Sequence, residues 1–308
     1  MFTDYDVVIV GSGCAGLAAG IYTGRAGLET IVMERKTMGG EAMSRQLVEN
    51  YPGFAEGIMG PQLANEMLEQ ANNAGAEVEM GEITSIQNRG DYKIVKLSDG
   101  SSLTCKGVII ASGSLPRRLN VPGEEELSGK GVFYCATCDG PLCAGKPVVV
   151  AGAGDSGITE ALYLEKLGCK VTVVELMDIP KASKVLLDRA DENPNIEVVL
   201  GTKILGIEGE DWVTGVKVQT VTTSEEKILP VEGIYVRIGL IPNTKFLEGT
   251  LTLTPTGQIP VNENMATDIE GIYAAGDVRQ FSPAQMGTAA GDGITAAMSL
   301  GKYLSSKA

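Results

Sequence analysis

Four apolar residues, Val7–Val10, run straight into Gly11-Ser12-Gly13-Cys14-Ala15-Gly16, and small residues continue through Leu17, Ala18, Ala19 and Gly20. An apolar run closed by glycines predicts a buried strand that turns tightly into a helix packed close on its sheet. A second strand pattern, Glu29–Met33, ends at the acidic Glu34. The whole arrangement recurs 141 positions further on, where Val148–Ala151 ends in Gly152-Ala153-Gly154-Asp155-Ser156-Gly157. A helix pattern around Glu160–Leu167 and a strand over Lys170–Val174 follow, and that strand ends at Glu175. Both glycine motifs and both acidic residues share the one offset.

Each copy has the composition of a dinucleotide site. The first glycine (Gly11, Gly152) makes the turn, the second (Gly13, Gly154) lets backbone approach a pyrophosphate, and the third (Gly16, Gly157) lets helix and strand pack. Ser12 and Ala15, and Asp155 and Ser156, complete the two loops at helix N-termini whose free N–H groups face phosphate. The terminal carboxylates, Glu34 and Glu175, are placed to accept hydrogen bonds from ribose hydroxyls. One G-x-G-x-x-G is a weak signal. Two in register, each with its acid, predict an α/β chain of two Rossmann-like dinucleotide-binding domains.

The first domain continues to Val108-Ile109-Ile110-Ala111-Ser112-Gly113, an apolar strand closed by small residues, and Leu115–Arg118 reads as a linker. The second runs to Gly233–Gly239, with Ile241–Thr244 as the return linker. Beyond it, Gly271–Asp277 is a strand delivering an aspartate at its carboxyl end, the edge where open α/β sheets bind ligands. A small-residue helix follows from about Gly287 to Leu300. The expectation is therefore a discontinuous domain, 1–115 with 245–308, into which 116–244 is inserted.

Composition narrows the class. The 308 residues are 44% hydrophobic and 21% charged, with 40 glycines and a net charge of −14. An acidic chain without a basic stripe argues against a nucleic-acid partner. No apolar run approaches membrane-spanning length, and Asp4 and Asp6 lead into a strand rather than a signal sequence. Six cysteines are too few for a disulfide-stapled secreted fold, so a cytoplasmic location is the default expectation.

Two of those cysteines carry the chemistry. Cys135-Ala136-Thr137-Cys138-Asp139-Gly140 precedes the second glycine loop in a chain that contains no histidine. A C-x-x-C pair can cycle between dithiol and disulfide. Asp139, directly behind it, offers a proton donor and acceptor where no imidazole exists. Cys14, Cys105 and Cys169 lie in apolar or small-residue surroundings and read as inert buried thiols. Cys143 near the pair raises a zinc site, but no histidine or suitably spaced fourth ligand completes it, so no metal is expected.

With these motifs in order, Gly11–Gly16, Met38–Glu41, Glu49–Gly53, Cys135–Gly140, Gly152–Gly157 and Gly271–Val278, the chain resembles the low-molecular-weight thioredoxin reductases over essentially its whole length. The resemblance implies an FAD-dependent disulfide oxidoreductase, a homodimer, with thioredoxin or a thioredoxin-like protein as partner. It implies that FAD is held by Gly11, Ser12, Gly13, Ala15, Gly16, Glu34, Arg35, Gly39, Gly40, Glu41, Asn50, Gly113, Gly276, Asp277, Gln285 and Met286. It places the nicotinamide cofactor at Gly152, Gly154, Asp155, Ser156, Gly157 and Glu175. Cys138 would then face the flavin, Cys135 would exchange with the substrate disulfide, and Asp139 would carry the proton.

The chain departs from the family where the 2′-phosphate of NADPH is usually gripped by basic residues. Here Glu175-Leu176-Met177-Asp178-Ile179-Pro180-Lys181 holds two carboxylates and one cation. A carboxylate about 5 Å from that phosphate costs about 3 kcal/mol at an effective dielectric of 20, roughly a hundredfold in affinity. NAD(H) is therefore expected over NADP(H). A vestigial second site, with the flavin fed by ferredoxin or a deazaflavin, stands beside that reading, as do a dithiol oxidase and a redox-sensing regulator. Cys14 in place of a proline and Ala284 ahead of Gln285 are two smaller departures, both at expected flavin contacts.

Overall fold

The computed structural model describes residues 3–45 and 47–307, with the Cys138 side chain outside that set. The chain divides into two compact units. One is Met1–Leu115 with Ile241–Ala308, and the other is Pro116–Leu240, inserted between them.

Strand β1 (Tyr5–Val10) leads into α1 (Cys14–Arg25) and β2 (Thr30–Glu34); α2 (Gly60–Asn73) and β3 (Glu77–Met80) follow. The ribbon of β4 (Ile83–Asn88) and β5 (Lys93–Leu97) then leads into the long β6 (Ser102–Ile110). The sheet order is β3-β2-β1-β6-β5-β4. Its β1, β2, β3 and β6 run parallel, and β4 and β5 antiparallel. Alternate side chains of β1 serve opposite faces, as strand geometry requires. Val7 and Ile9 pack under the helices, while Val8 and Val10 face Ile83, Ile86 and Val95. Both faces are covered, which is why β1 reads as a continuous apolar run.

The chain leaves this unit within β7 (Ser114–Pro116). The inserted unit begins with β8 (Val132–Phe133) and the single-turn helix α3 (Ala136–Asp139). Then β9 (Pro147–Ala151), α4 (Asp155–Lys166), β10 (Lys170–Val174), α5 (Lys184–Asp191) and β11 (Ile196–Val199) repeat the strand–helix alternation. The antiparallel β12 (Thr202–Gly209), β13 (Val213–Thr220) and β14 (Glu226–Leu229) form a second sheet, and β15 (Ile234–Val236) rejoins the parallel one. The parallel order is β11-β10-β9-β15-β8. Val148 and Val150 of β9 pack toward α4, and Val149 and Ala151 toward the antiparallel sheet. Helices cover one face and a sheet covers the other.

The chain returns through β16 (Leu240–Pro242). The crossing at Leu240/Ile241 lies a few residues ahead of the 244/245 boundary expected from sequence. Asn243 and Thr244 are already held by the first unit. Ser112 Oγ donates to Asn243 O and Asn243 Nδ2 to Ser112 O, both at 2.8 Å, and Thr244 Oγ1 donates to Gly257 O. Strand β17 (Ile272–Ala274) pairs parallel with β6, and α6 (Met286–Lys307) packs on α1. A Cβ at Gly293 would lie 2.0 Å from Ala15 O, so the small residues of α6 set that close approach. No helix among the described residues is long and apolar enough to cross a membrane.

Candidate functional site

The two glycine loops fold alike in detail. A Cβ at Gly16 would sit 1.8 Å from Gly11 O, and one at Gly157 would sit 1.9 Å from Gly152 O. Gly11 and Gly152 turn at φ of +99° and +104°, a backbone that only glycine adopts without strain. The middle glycines differ. Neither Gly13 nor Gly154 has a protein atom within 4 Å of an added Cβ. The outer glycines are packed by the protein itself, and the middle ones border open space at a helix N-terminus. That is the shape a pyrophosphate requires.

The acidic ends also match. Glu34 accepts from Ser12 N at 2.9 Å and from Lys36 N at 3.0 Å. Glu175 accepts from Ala153 N at 2.7 Å and from Met177 N at 3.0 Å. Two backbone donors pin each carboxylate at the end of its strand and leave lone pairs for a ribose. The first copy adds a hydroxyl: Ser12 Oγ donates to Glu34 Oε2 and accepts from Gly39 N. This bond draws the Gly39–Glu41 segment over the loop, and a Cβ at Gly40 would lie 2.9 Å from Gly13 Cα. In the second copy Lys181 N and Ala182 N donate to Ala153 O, and Ser183 N donates to Asp155 Oδ1 at 2.6 Å. Ser156 is exposed on the first turn of α4.

In the first unit the fold pairs residues that are distant in sequence. Asn50 Nδ2 donates to Gln285 Oε1 at 2.9 Å, and Arg35 Nη2 donates to Asn243 Oδ1 at 3.0 Å. Gly113 turns at φ of +63°. Asp277 follows β17, and Ser282 Oγ donates to its Oδ1 at 3.3 Å. Burial raises the Asp277 carboxyl above its usual range, with the nearby Glu41 and Asp292 adding repulsion. Met286 opens α6 and packs with Cys14 and Ala15 in one core. The sequence reading missed the buttress behind Asp277. Arg279 grips Asp292 with Nε and Nη2 at 2.6 and 3.0 Å, and Asp292 also accepts from Gly276 N. Arg279 follows the strand-end aspartate closely, but Asp292 sits in a small-residue helix with nothing local to mark it.

In the second unit Cys135 is half-buried and held in a disulfide. The side chain of Cys138, on α3, lies outside the described residues. Asp139 closes that helix, with its N–H on Cys135 O at 3.1 Å. Desolvation alone raises the Asp139 carboxyl, which keeps it protonated to higher pH than an exposed aspartate. The other thiols differ from this half-exposed cysteine. Cys14, Cys105, Cys143 and Cys169 are free and buried. Burial pushes Cys14 up to about 11 and Cys105 up to about 12, so neither is a thiolate at neutral pH. Three further residues hold the redox segment and were not legible in sequence. They are Glu160 on α4, Tyr235 on β15 and Arg237 just beyond it.

The arrangement offers two dinucleotide cradles, a cysteine disulfide on a short turn and a carboxyl able to carry a proton. The pyridine nucleotide-disulphide oxidoreductase family profile matches residues 5–293. The thioredoxin reductase of Bacillus subtilis (strain 168) is 40% identical over 301 residues, 97% of this chain and 95% of that protein. Among solved structures, Lactococcus lactis thioredoxin reductase (FR conformation) aligns with a TM-score of 0.95 at 37% identity, covering 98% of this chain and 100% of that one. The T. acidophilum thioredoxin reductase aligns with a TM-score of 0.93 at 36% identity over 100% of both chains.

Proposed function

From the premise that the chain belongs to the pyridine nucleotide-disulphide oxidoreductase family, as an FAD-dependent thioredoxin reductase, we propose that its electron donor is NADH and its redox centre the Cys135–Cys138 pair. FAD supplies two-electron carriage between nicotinamide and disulfide. Its cradle is the Gly11–Gly16 loop with Glu34, and the open space at Gly13 supports that placement. Asn50, Gln285 and Asp277 belong to the same cradle in this reading, and Ser12 with Gly39–Glu41 closes it. The Gly152–Gly157 loop with Glu175 takes the pyridine nucleotide.

In the exchange step the enzyme dithiol is oxidised to the disulfide as the disulfide of thioredoxin is reduced to a dithiol. Two electrons pass to the substrate, and each of its sulfurs ends with a proton. Asp139 holds a proton on its carboxyl for the departing thiolate, and its raised pKa keeps that proton available. A cytoplasmic thioredoxin is the partner this reading expects, with a homodimer as the assembly.

The observation that carries the donor assignment is Glu175. Its oxygens are fixed by Ala153 N and Met177 N at the position where a ribose edge is read. From Leu176 to Lys181 the only cation is Lys181. A carboxylate held rigidly there accepts ribose hydroxyls and repels a 2′-phosphate. Anaerobic bleaching of the flavin, followed with NADH and NADPH in parallel, tests this. NADH should bleach at lower concentration, and Glu175→Arg should move the preference toward NADPH. Better bleaching by NADPH in the wild type, or by neither nucleotide at millimolar concentration, would overturn the assignment.

A further inference from the structure

Two neighbouring residues of α6 meet two separate parts of the flavin cradle. A Cβ on Gly293 would lie 2.0 Å from Ala15 O, within the Gly11–Gly16 loop. Asp292, the residue before it, holds the turn that follows β17. Its Oδ2 accepts from Gly276 N at 3.2 Å, one residue ahead of Asp277. Asp292 also accepts both prongs of Arg279, Nε on Oδ2 at 2.6 Å and Nη2 on Oδ1 at 3.0 Å. The third guanidinium nitrogen, Nη1, donates to Gln280 O at 3.0 Å. Gly276 turns at φ of +76°, and a Cβ on it would meet the Cβ of Ala15 at 3.0 Å. The strand-end turn, the glycine loop and α6 therefore converge on one short stretch of backbone.

Side-chain exposure is 14% at Arg279 and 9% at Asp292, so water is largely excluded from the pair. A buried ion pair adds little net stability, because desolvating both charges offsets most of their attraction. Apolar residues of similar size would fill the same space as well. What the two-pronged geometry adds is direction. A carboxylate held in a fork has fixed oxygens, and one of these oxygens fixes the Gly276 amide. Asp277 follows that amide in the Gly276–Val278 turn, and Ser282 Oγ donates to its Oδ1. We propose that Arg279 and Asp292 are positioning residues for FAD, holding the Gly276–Asp277 turn against the glycine loop so that Asp277 stays within reach of the cofactor. The inference rests on the FAD cradle assigned above. Neither side chain is given a contact with FAD. Asp292 acts through the Gly276 amide, and Arg279 acts through Asp292.

The test measures FAD release from the full chain, loaded with FAD and then diluted, with the fluorescence of freed FAD giving Kd. Asp292→Asn keeps the side-chain size but offers one carbonyl oxygen to three donors. Its Kd should rise roughly 10- to 100-fold, the scale of a lost hydrogen bond to a charged group. Arg279→Lys keeps the charge without the fork and should weaken binding in the same direction by less. The decisive comparison is with Asp277→Asn. If the pair acts through Asp277, adding Asp292→Asn to Asp277→Asn should weaken binding far less than Asp292→Asn does alone. A purely structural role predicts additive losses, and additive losses would overturn the inference. Should the single variants not fold, Asp292→Leu/Arg279→Met removes both charges together. That double variant should show wild-type far-ultraviolet dichroism, leave Gly276 N without its acceptor, and bind FAD roughly tenfold more weakly or worse. Wild-type affinity in the folded double variant would equally overturn the inference. An unchanged Kd in Asp277→Asn would count against the cradle placement and sink both readings. Weakened binding in Asp277→Asn beside wild-type binding in Asp292→Asn would sink the inference alone.

Discussion

In the proposed exchange step Asp139 supplies what a histidine supplies in other redox enzymes. Its carboxyl is raised by burial, with no opposing cation among the causes. The step that donates its proton should therefore run at low pH and decline as pH rises through the raised value. Asp139→Asn removes the proton while keeping the shape, so thioredoxin reduction should slow by roughly 10²–10⁴-fold and lose that limb of its pH profile. Stopped-flow measurement of the two half-reactions separates the outcomes, since equal slowing of flavin reduction would mean a structural role. The linkage sign agrees. An acid whose folded pKa is raised opposes folding increasingly as pH climbs from the ordinary carboxylate range to the raised value. The Asn variant should therefore not melt lower than wild type at neutral pH. The proposal of Cys135, Cys138 and Asp139 came from spacing, because three chemistry-bearing residues fall within five positions. Glu160 was not legible in that way, because in Thr159-Glu160-Ala161-Leu162 it reads as an ordinary helix acid until the fold buries it beneath the redox turn.

The glycine loops are where element geometry decides between folding and binding. Gly13 and Gly154 have φ of −68° and −87°, values any residue adopts, and an added methyl meets no protein atom. Gly13→Ala should therefore fold normally, with wild-type far-ultraviolet dichroism, and lose flavin during gel filtration because the methyl occupies pyrophosphate space. Gly16→Ala should fail differently, since its Cβ would meet Gly11 O at 1.8 Å and force α1 away from β1. Its melting temperature should drop even with excess FAD. Equal flavin retention by Gly13→Ala and wild type would argue against a pyrophosphate at that loop. The parallel strands and their helices were readable because both copies repeat one pattern at one offset. The antiparallel β12–β14 sheet left no comparable mark. Its pairing shifts register between Ile204 and Gly206 and again between Glu208 and Gly209, which breaks the period-two alternation a strand normally shows.

At the scale of the whole molecule the expectation of an inserted domain came from two apolar strand ends, near Gly113 and Gly239, and the chain divides into Met1–Leu115 with Ile241–Ala308 and Pro116–Leu240. The position of the return crossing was not legible there, because Asn243 joins the first unit through Ser112 and Arg35, contacts that only the folded chain creates. Charge is the other whole-molecule property, and here opposing effects must be weighed. The chain carries 39 acidic and 25 basic residues, a net of −14. Its surface pairs, among them Lys146–Glu232, Lys184–Asp188 and Lys217–Glu226, are solvent-exposed. Exposed pairs contribute little and are screened along with everything else. The excess negative charge acts over longer distances and destabilises the compact state. Raising NaCl from about 0.01 to about 0.15 M shortens the screening length from about 30 Å to about 8 Å, which removes mainly that long-range repulsion. The melting temperature of the FAD-saturated enzyme at neutral pH should therefore rise over this range. The rise should shrink toward pH 5, as carboxylates with raised values, Asp139 and Asp277 among them, take up protons and the net charge falls. Scanning calorimetry at the two pH values reads both effects. A melting temperature that falls with salt at neutral pH would show that local ion pairs, and not the net charge, govern the electrostatics of this fold.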